Sequence, residues 1–188
     1  IAMGNSIIVK PASDTPLGTL KLAELAVAAG LPKGVFNVIT GLGSEVGEAL
    51  VRHPDVRKVA FTGSTEIGKK IMEQSASTVK KVTLELGGKA AAIVLPDADF
   101  ELTIPGVLLG VFFHAGQVCE ASTRVLVHES IYEPVIEQLA AMTEKIKLGH
   151  PLDPSTGMGP VISERQMNKV LDYIVSGKDE GARLVCGG

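Results

Sequence analysis

Short β-branched runs alternate with stretches of helical periodicity along this chain. Residues 6–10 form the first run, and Pro11 ends it because a proline cannot donate to a ladder. Asp14, Thr15 and Pro16 supply an N-cap candidate and a proline for the first helical position. Leu17, Leu20, Leu22, Leu25 and Ala26 then mark an apolar helix face, and Gly30 closes it as a C-terminal cap. Residues 35–39 predict a second strand, 56–61 a third and 82–86 a fourth. The helix after the third carries Ile67, Ile71 and Met72 inward.

Strand, glycine turn and helix thus repeat, which predicts an α/β fold: a parallel Rossmann-like sheet with helical crossovers and ligands at the carboxyl ends of the strands. The pattern resumes with a strand over 90–95, Asp97-Ala98-Asp99 to cap the next helix, and a stretch over 102–113 that leads into the turn before Cys119. A strand over 123–128 follows, then a helix capped by Ser130 with a core stripe of Ile131, Val135, Ile136, Leu139 and Met142. A helix over 163–178 and a last strand over 182–185 complete the reading. Gly87 and Gly88 mark the domain boundary, with 1–86 a partial cofactor-binding domain and 87–188 part of a second α/β, catalytic domain. Both ends, Ile1 and Gly188, read as cuts through a longer fold.

Two glycine-rich turns imitate familiar phosphate motifs. Gly41, Gly43 and Gly47 are spaced Gly-x-Gly-x-x-x-Gly, one residue longer than the dinucleotide fingerprint, and read alone as a strand-to-helix turn. Gly63 to Lys69 fits the start of a P-loop, yet Lys70 stands where a magnesium-binding hydroxyl is needed, so phosphoryl transfer is disfavoured. A glycine turn at a helix N-terminus still offers free N–H groups and a positive dipole end to a phosphate.

Composition narrows the partners. The chain has 188 residues, 45% of them hydrophobic, and a net charge of −3 with no basic run, which gives no footprint for nucleic acid or an anionic membrane. No apolar run approaches the roughly 20 residues of a membrane span. Two distant cysteines, Cys119 and Cys186, fit a reducing, cytoplasmic setting better than a disulfide scaffold. The four histidines lack metal-ligand spacing, so no metal is expected.

The chemistry concentrates between Val82 and Arg124. Glu85 lies in a β-type run ended by Gly87 and Gly88, and Cys119 lies in a polar turn after Gly116 and Gln117. A thiolate there could attack an electrophilic carbon, and the carboxylate could deprotonate a water that releases the acyl group. Taken as residues alone, Cys119 also reads as a small core hydrophobe and Glu85 as a solvent-facing acid.

Leu84-Glu85-Leu86-Gly87-Gly88-Lys89 and Gly116-Gln117-Val118-Cys119, in this order, resemble the glutamate and cysteine signatures of the aldehyde dehydrogenase superfamily. Residues 9–13, 60–68 and 157–160 resemble further family segments in family order, so the likeness runs over essentially the whole chain. It implies oxidation of a small-molecule aldehyde with NAD or NADP: Cys119 forms a thiohemiacetal and then a thioester, and Glu85 activates the hydrolytic water. An oxyanion hole of the Cys119 N–H and an upstream asparagine is also implied. A CoA-acylating dehydrogenase is the nearer rival, which retention of Glu85 disfavours; a non-catalytic nucleotide-binding module is the alternative.

For the cofactor, the resemblance assigns Lys10 to the adenosine ribose and Ser64 to the pyrophosphate. Gly43, Gly47 and Ile67 go to the adenine end, and Ser13, Gly63, Thr65, Glu66, Gly68 and Leu86 line the same site. Lys10 as a strand-end cation and Ser64 as an N-cap are the plainer readings of those two. Ser13 stands where many NAD-specific members carry a glutamate, which leaves NADP open. Glu120 departs from the small or apolar residue usual after the nucleophile. Homo-oligomerisation of the intact protein is implied, and the isolated chain is expected to turn over poorly.

Overall fold

β1 (Ile7–Val9) and β2 (Phe36–Val38) run parallel, with Ile7 opposite Phe36 and Val9 opposite Val38. The computed structural model, which describes residues 1–188, joins them through α1 (Leu17–Ala28). Pro16 occupies the position before α1, and neither it nor Asp14 gives a side-chain cap, so the expected Asp14 cap is corrected. The apolar face is corrected too. Leu20, Ala23 and Ala26 turn inward, and Leu17, Leu22 and Leu25 face out. Gly30, at φ +87°, ends α1 with two bonds, from its own N–H to Val27 O and from Leu31 N–H to Ala26 O. That is the Schellman arrangement, in which glycine takes the left-handed position without a Cβ penalty.

A single wide turn of π-helix, Gly43–Gly47, leads into the short α2 (Glu48–Arg52). β3 (Lys58–Gly63), α3 (Thr65–Ala76) and β4 (Lys81–Leu86) then form a strand–helix–strand unit whose strands pair in parallel from Lys58 opposite Lys81 to Gly63 opposite Leu86. The buried stripe of α3 is Gly68, Ile71 and Ser75. Ile67 and Met72 are exposed, contrary to their expected inward placement, because the 68–71–75 spacing is the one that faces the sheet.

β5 (Ala91–Val94) and β6 (Arg124–Val127) make the third parallel pair. Between them runs α4 (Phe100–Phe112), capped by Asp99, whose side chain accepts from Glu101 N at 2.9 Å. α5 (Tyr132–Thr143) packs on α4, and α6 (Glu164–Asp179) follows a long loop. Val94, Ile104, Val107 and Val135 form the buried core, ringed by Phe100, Val125, Val127 and Leu139. Each such side chain contributes roughly 1.5–3 kcal/mol of burial.

Three further expectations change. Ser130 does not cap α5; it lies in a 3-10 turn, Glu129–Ile131, where His128 Nδ1 accepts from the Ser130 N–H. Met142 lies outside the core at 38% exposure. Residues 182–185 are irregular and not a strand. The chain divides into two compact units, Ile1–Leu86 and Gly87–Gly188. No helix is long and apolar enough to cross a membrane.

Candidate active site

In the first unit the glycine run after β2 and the end of β1 converge. Lys10 Nζ donates to Gly41 O at 3.1 Å and to Pro11 O at 2.7 Å, and Ser13 Oγ donates to Gly41 O at 3.3 Å. A Cβ on Gly47 would lie 3.8 Å from Lys10 Cδ. Lys10, Ser13 and Gly47 are therefore neighbours, with Gly43 in the same turn. Gly41 was not among the expected site residues. It holds φ +145°, and a Cβ there would meet Val46 Cγ2 at 2.5 Å, so only glycine fits; its place as first glycine of the run is the signal that could have found it.

The turn between β3 and α3 is a helix N-terminus held open. Ser64 Oγ accepts from Ile67 N at 3.4 Å and Ser64 O from Gly68 N at 3.0 Å, which makes Ser64 the N-cap. Thr65 and Glu66 occupy the first turn with exposed side chains, and their N–H groups point along the axis with the positive dipole end. A Cβ on Gly63 would run into the Phe61 ring, so a larger residue there would force that ring to move. Gly68 lets α3 approach β4, its missing Cβ facing Leu86. This open first turn and the polar group around Gly41 are of a kind that suits a nucleotide's phosphates and hydroxyls.

Glu85 lies on the exposed side of β4, opposite Thr62 of β3 and one residue from the strand's carboxyl end. The alternation Lys81, Thr83, Glu85 outward and Val82, Leu84, Leu86 inward puts the acid on the face away from α3.

In the second unit, Cys119 is a free thiol on an exposed turn. α4 ends at Phe112, and a 3-10 segment, Phe113–Gly116, reverses the backbone through His114 (φ 51°), Ala115 (φ 56°) and Gly116 (φ 73°). The turn closes with Ala121 N–H donating to Val118 O at 3.2 Å, and Ser122 N–H to Gly110 O at 2.9 Å. A Cβ added to Gly88 would lie 3.9 Å from Cys119 O, and Arg124 Nε donates to Lys89 O at 3.1 Å. A cleft of about 320 Å³ between Leu148 and Pro160, and an apolar one of about 180 Å³ between α4 and α5 that Cys186 helps line, both exclude Cys119. No group of histidine, cysteine and acidic side chains can hold a metal ion.

The model of the aldehyde dehydrogenase family matches residues 1–188. The phenylacetaldehyde dehydrogenase of Pseudomonas fluorescens is 50% identical and the betaine aldehyde dehydrogenase of Brucella anthropi 52% identical, each over all of this chain and 38% of the relative. The chain thus spans 38% of the length of these curated relatives. Among solved structures, betaine aldehyde dehydrogenase from Staphylococcus aureus in complex with NAD+ superposes with a TM-score of 0.96 at 46% identity, covering 99% of this chain and 37% of that one. The NAD+ complex of an aldehyde dehydrogenase from Bacillus cereus gives 0.95 at 49% identity, over 97% of this chain and 37% of that one. On sequence and on fold alike, the chain belongs to the aldehyde dehydrogenase family.

Proposed function

We propose that these residues are part of an NAD(P)-dependent dehydrogenase that oxidises an aldehyde to a carboxylic acid. Residues 1–86 would serve cofactor binding and 87–188 catalysis. The observation that carries the reading is the family match over the full chain, with a free, exposed cysteine at the position of the family signature.

The Cys119 thiolate adds to the aldehyde carbon, forming a C–S bond while the carbonyl π pair moves onto oxygen. The Cys119 N–H, which no other protein group engages, would receive that negative charge. A nicotinamide cofactor held by the first unit's residues would supply the hydride acceptor, and loss of that hydride leaves the Cys119-bound carbon at the oxidation level of a thioester. Glu85 then takes a proton from water as the water attacks, the C–S bond breaks, and the acid leaves with Cys119 restored as thiolate.

For the cofactor, Lys10 and Ser13 would receive the adenosine ribose, and Ser64 with the first turn of α3 the pyrophosphate. Gly43, Gly47 and Ile67 would border the adenine, and Gly63, Thr65, Glu66, Gly68 and Leu86 would shape the floor. The partners would be a small aldehyde and, in the intact protein, further copies of the same subunit in the cytoplasm. Because the relatives are far longer, the 188 residues alone should give little turnover.

Iodoacetamide tests the reading. Cys119 should be alkylated faster than Cys186 and be slowed or quickened by added NAD+ or NADP+. Equal, cofactor-blind rates at the two thiols would favour the non-catalytic nucleotide-binding alternative.

A further inference from the structure

One side chain that the reaction above does not use holds the turn that carries Cys119. Gln117 Nε2 donates to His114 O at 2.9 Å, and Gln117 Oε1 accepts from the Ile162 N–H at 2.9 Å. The Gln117 backbone N–H donates to the same His114 carbonyl at 3.2 Å. Both ends of this amide are therefore committed, one to the start of the cysteine turn and one to a strand of chain far along the sequence.

The segment it braces resists its own conformation. His114 and Ala115 sit in the left-handed region at φ 51° and 56°, which costs a residue with a Cβ about 1–2 kcal/mol. Without a brace those two residues gain by relaxing, and Cys119 would move with them. The other anchor is firm in a different way. Ile162 directly precedes Ser163, whose Oγ caps α6 by accepting from Gln166 N at 3.2 Å. No residue of α6 is buried, so the bond from Gln117 is one of the few fixed points near its N-terminus.

We infer that Gln117 is a positioning residue, locking the Cys119 turn to the backbone before α6 and so fixing where the sulfur meets the aldehyde carbon. This deepens the reading of Cys119 as nucleophile and rests on it. Gln117→Met keeps the length of the side chain and removes both bonds; Gln117→Glu keeps an acceptor for the Ile162 N–H and loses the bond to His114.

Three readouts on the 188-residue chain decide it: amide exchange at Ile162, the amide resonances of Val118 and Cys119, and iodoacetamide rates at Cys119 with Cys186 as internal reference. In Gln117→Met, exchange at Ile162 should rise about tenfold or more. The Val118, Cys119 and Ser163 resonances should shift, and the Cys119 to Cys186 rate ratio should fall about threefold or more. Gln117→Glu should restore protection at Ile162 while the Val118 and Cys119 resonances stay displaced.

An unchanged rate ratio in Gln117→Met, or unchanged exchange at Ile162, overturns the positioning role. If Gln117→Met unfolds the unit, Gln117→Glu decides by itself, and unmoved Val118 and Cys119 resonances overturn the proposal. Wild-type Cys119 reacting no faster than Cys186 sinks the nucleophile reading separately, before any variant is made.

Discussion

Gly68 of α3 faces Leu86 of β4 so closely that a Cβ at position 68 would stand 2.7 Å from Leu86 Cδ2 and 3.1 Å from Cδ1. Leu86 ends the strand that carries Glu85, so this contact sets how the helix of the glycine turn rests on the strand of the acid. Alanine at 68 gains about 1 kcal/mol of helix propensity and meets an overpacking cost of about 1–3 kcal/mol. Gly68→Ala should therefore lower stability by about 1 kcal/mol. In a Leu86→Ala background the clash is gone and the same change should stabilise by about 1 kcal/mol. A urea-denaturation cycle over the four proteins would show this reversal of sign, and the same sign in both backgrounds would refute the close-packing account.

α1 and α3 end with the same pair of hydrogen bonds but different residues at the left-handed position. Gly30 fills it after α1; after α3 it is Val79, at φ 51° and 89% exposed, with Val79 N–H donating to Ala76 O and Lys80 N–H to Ser75 O. A β-branched residue is strained there and gains nothing from burial. Val79→Gly should raise stability by about 1 kcal/mol, the strain relieved less the extra freedom of the unfolded chain. A thermal melt that falls instead would overturn the strain account of Val79.

Glu48 at the start of α2 and Lys70 of α3 form a 2.8 Å ion pair on the surface. The hydrogen bond from Lys70, helped by its charge, holds the Glu48 carboxyl below its ordinary 4.5, and the reciprocal bond holds Lys70 above 10.5. The depressed acid stabilises the fold above its unfolded value, and that share is lost as pH falls through the lower folded value. The raised lysine stabilises below its unfolded value, and its share is lost as pH rises through the higher folded one. The pair therefore works across the neutral range. Lys70→Met should flatten the stability loss on acidification below about pH 5, and 1 M salt should flatten it in the wild type. An unaltered acid limb in Lys70→Met would mean that the pair adds nothing.

The alternation of strand and helix was legible because β-branched runs and the glycine turns at Gly41 and Gly63 punctuate it, and the caps at Ser64 and Asp99 were legible because short polar side chains satisfy open N–H groups. What stayed hidden depends on partners far along the chain. Leu17, Leu22 and Leu25 carry the hydrophobic mass of α1 but face outward, because small residues, Ala23 and Ala26, let the helix approach its strands. The left-handed turn at His114 and Ala115 has no glycine or asparagine at those positions to announce it. The bond from Gln117 to Ile162 has no local signature at all, since glutamine is read as a surface residue until its distant partner is known.

Ser13 offers the sharpest test of the cofactor reading. Its hydroxyl and the Lys10 ammonium both point at the Gly41 carbonyl, so a carboxylate in place of the hydroxyl would sit beside the position proposed for the adenosine ribose. A ribose with two hydroxyls can donate to such a carboxylate, whereas a 2′-phosphate carries charge of the same sign. At the exposure of this edge, one such repulsion over about 4–6 Å is worth about 1–2 kcal/mol, or about tenfold in affinity. Ser13→Glu should weaken NADP+ relative to NAD+ by about that factor, and Ser13→Ala should leave the ratio nearly unchanged. Titration calorimetry of both nucleotides against the three proteins measures it. A ratio that does not move in Ser13→Glu would place the ribose away from Ser13 and remove Lys10 and Ser13 from the site together.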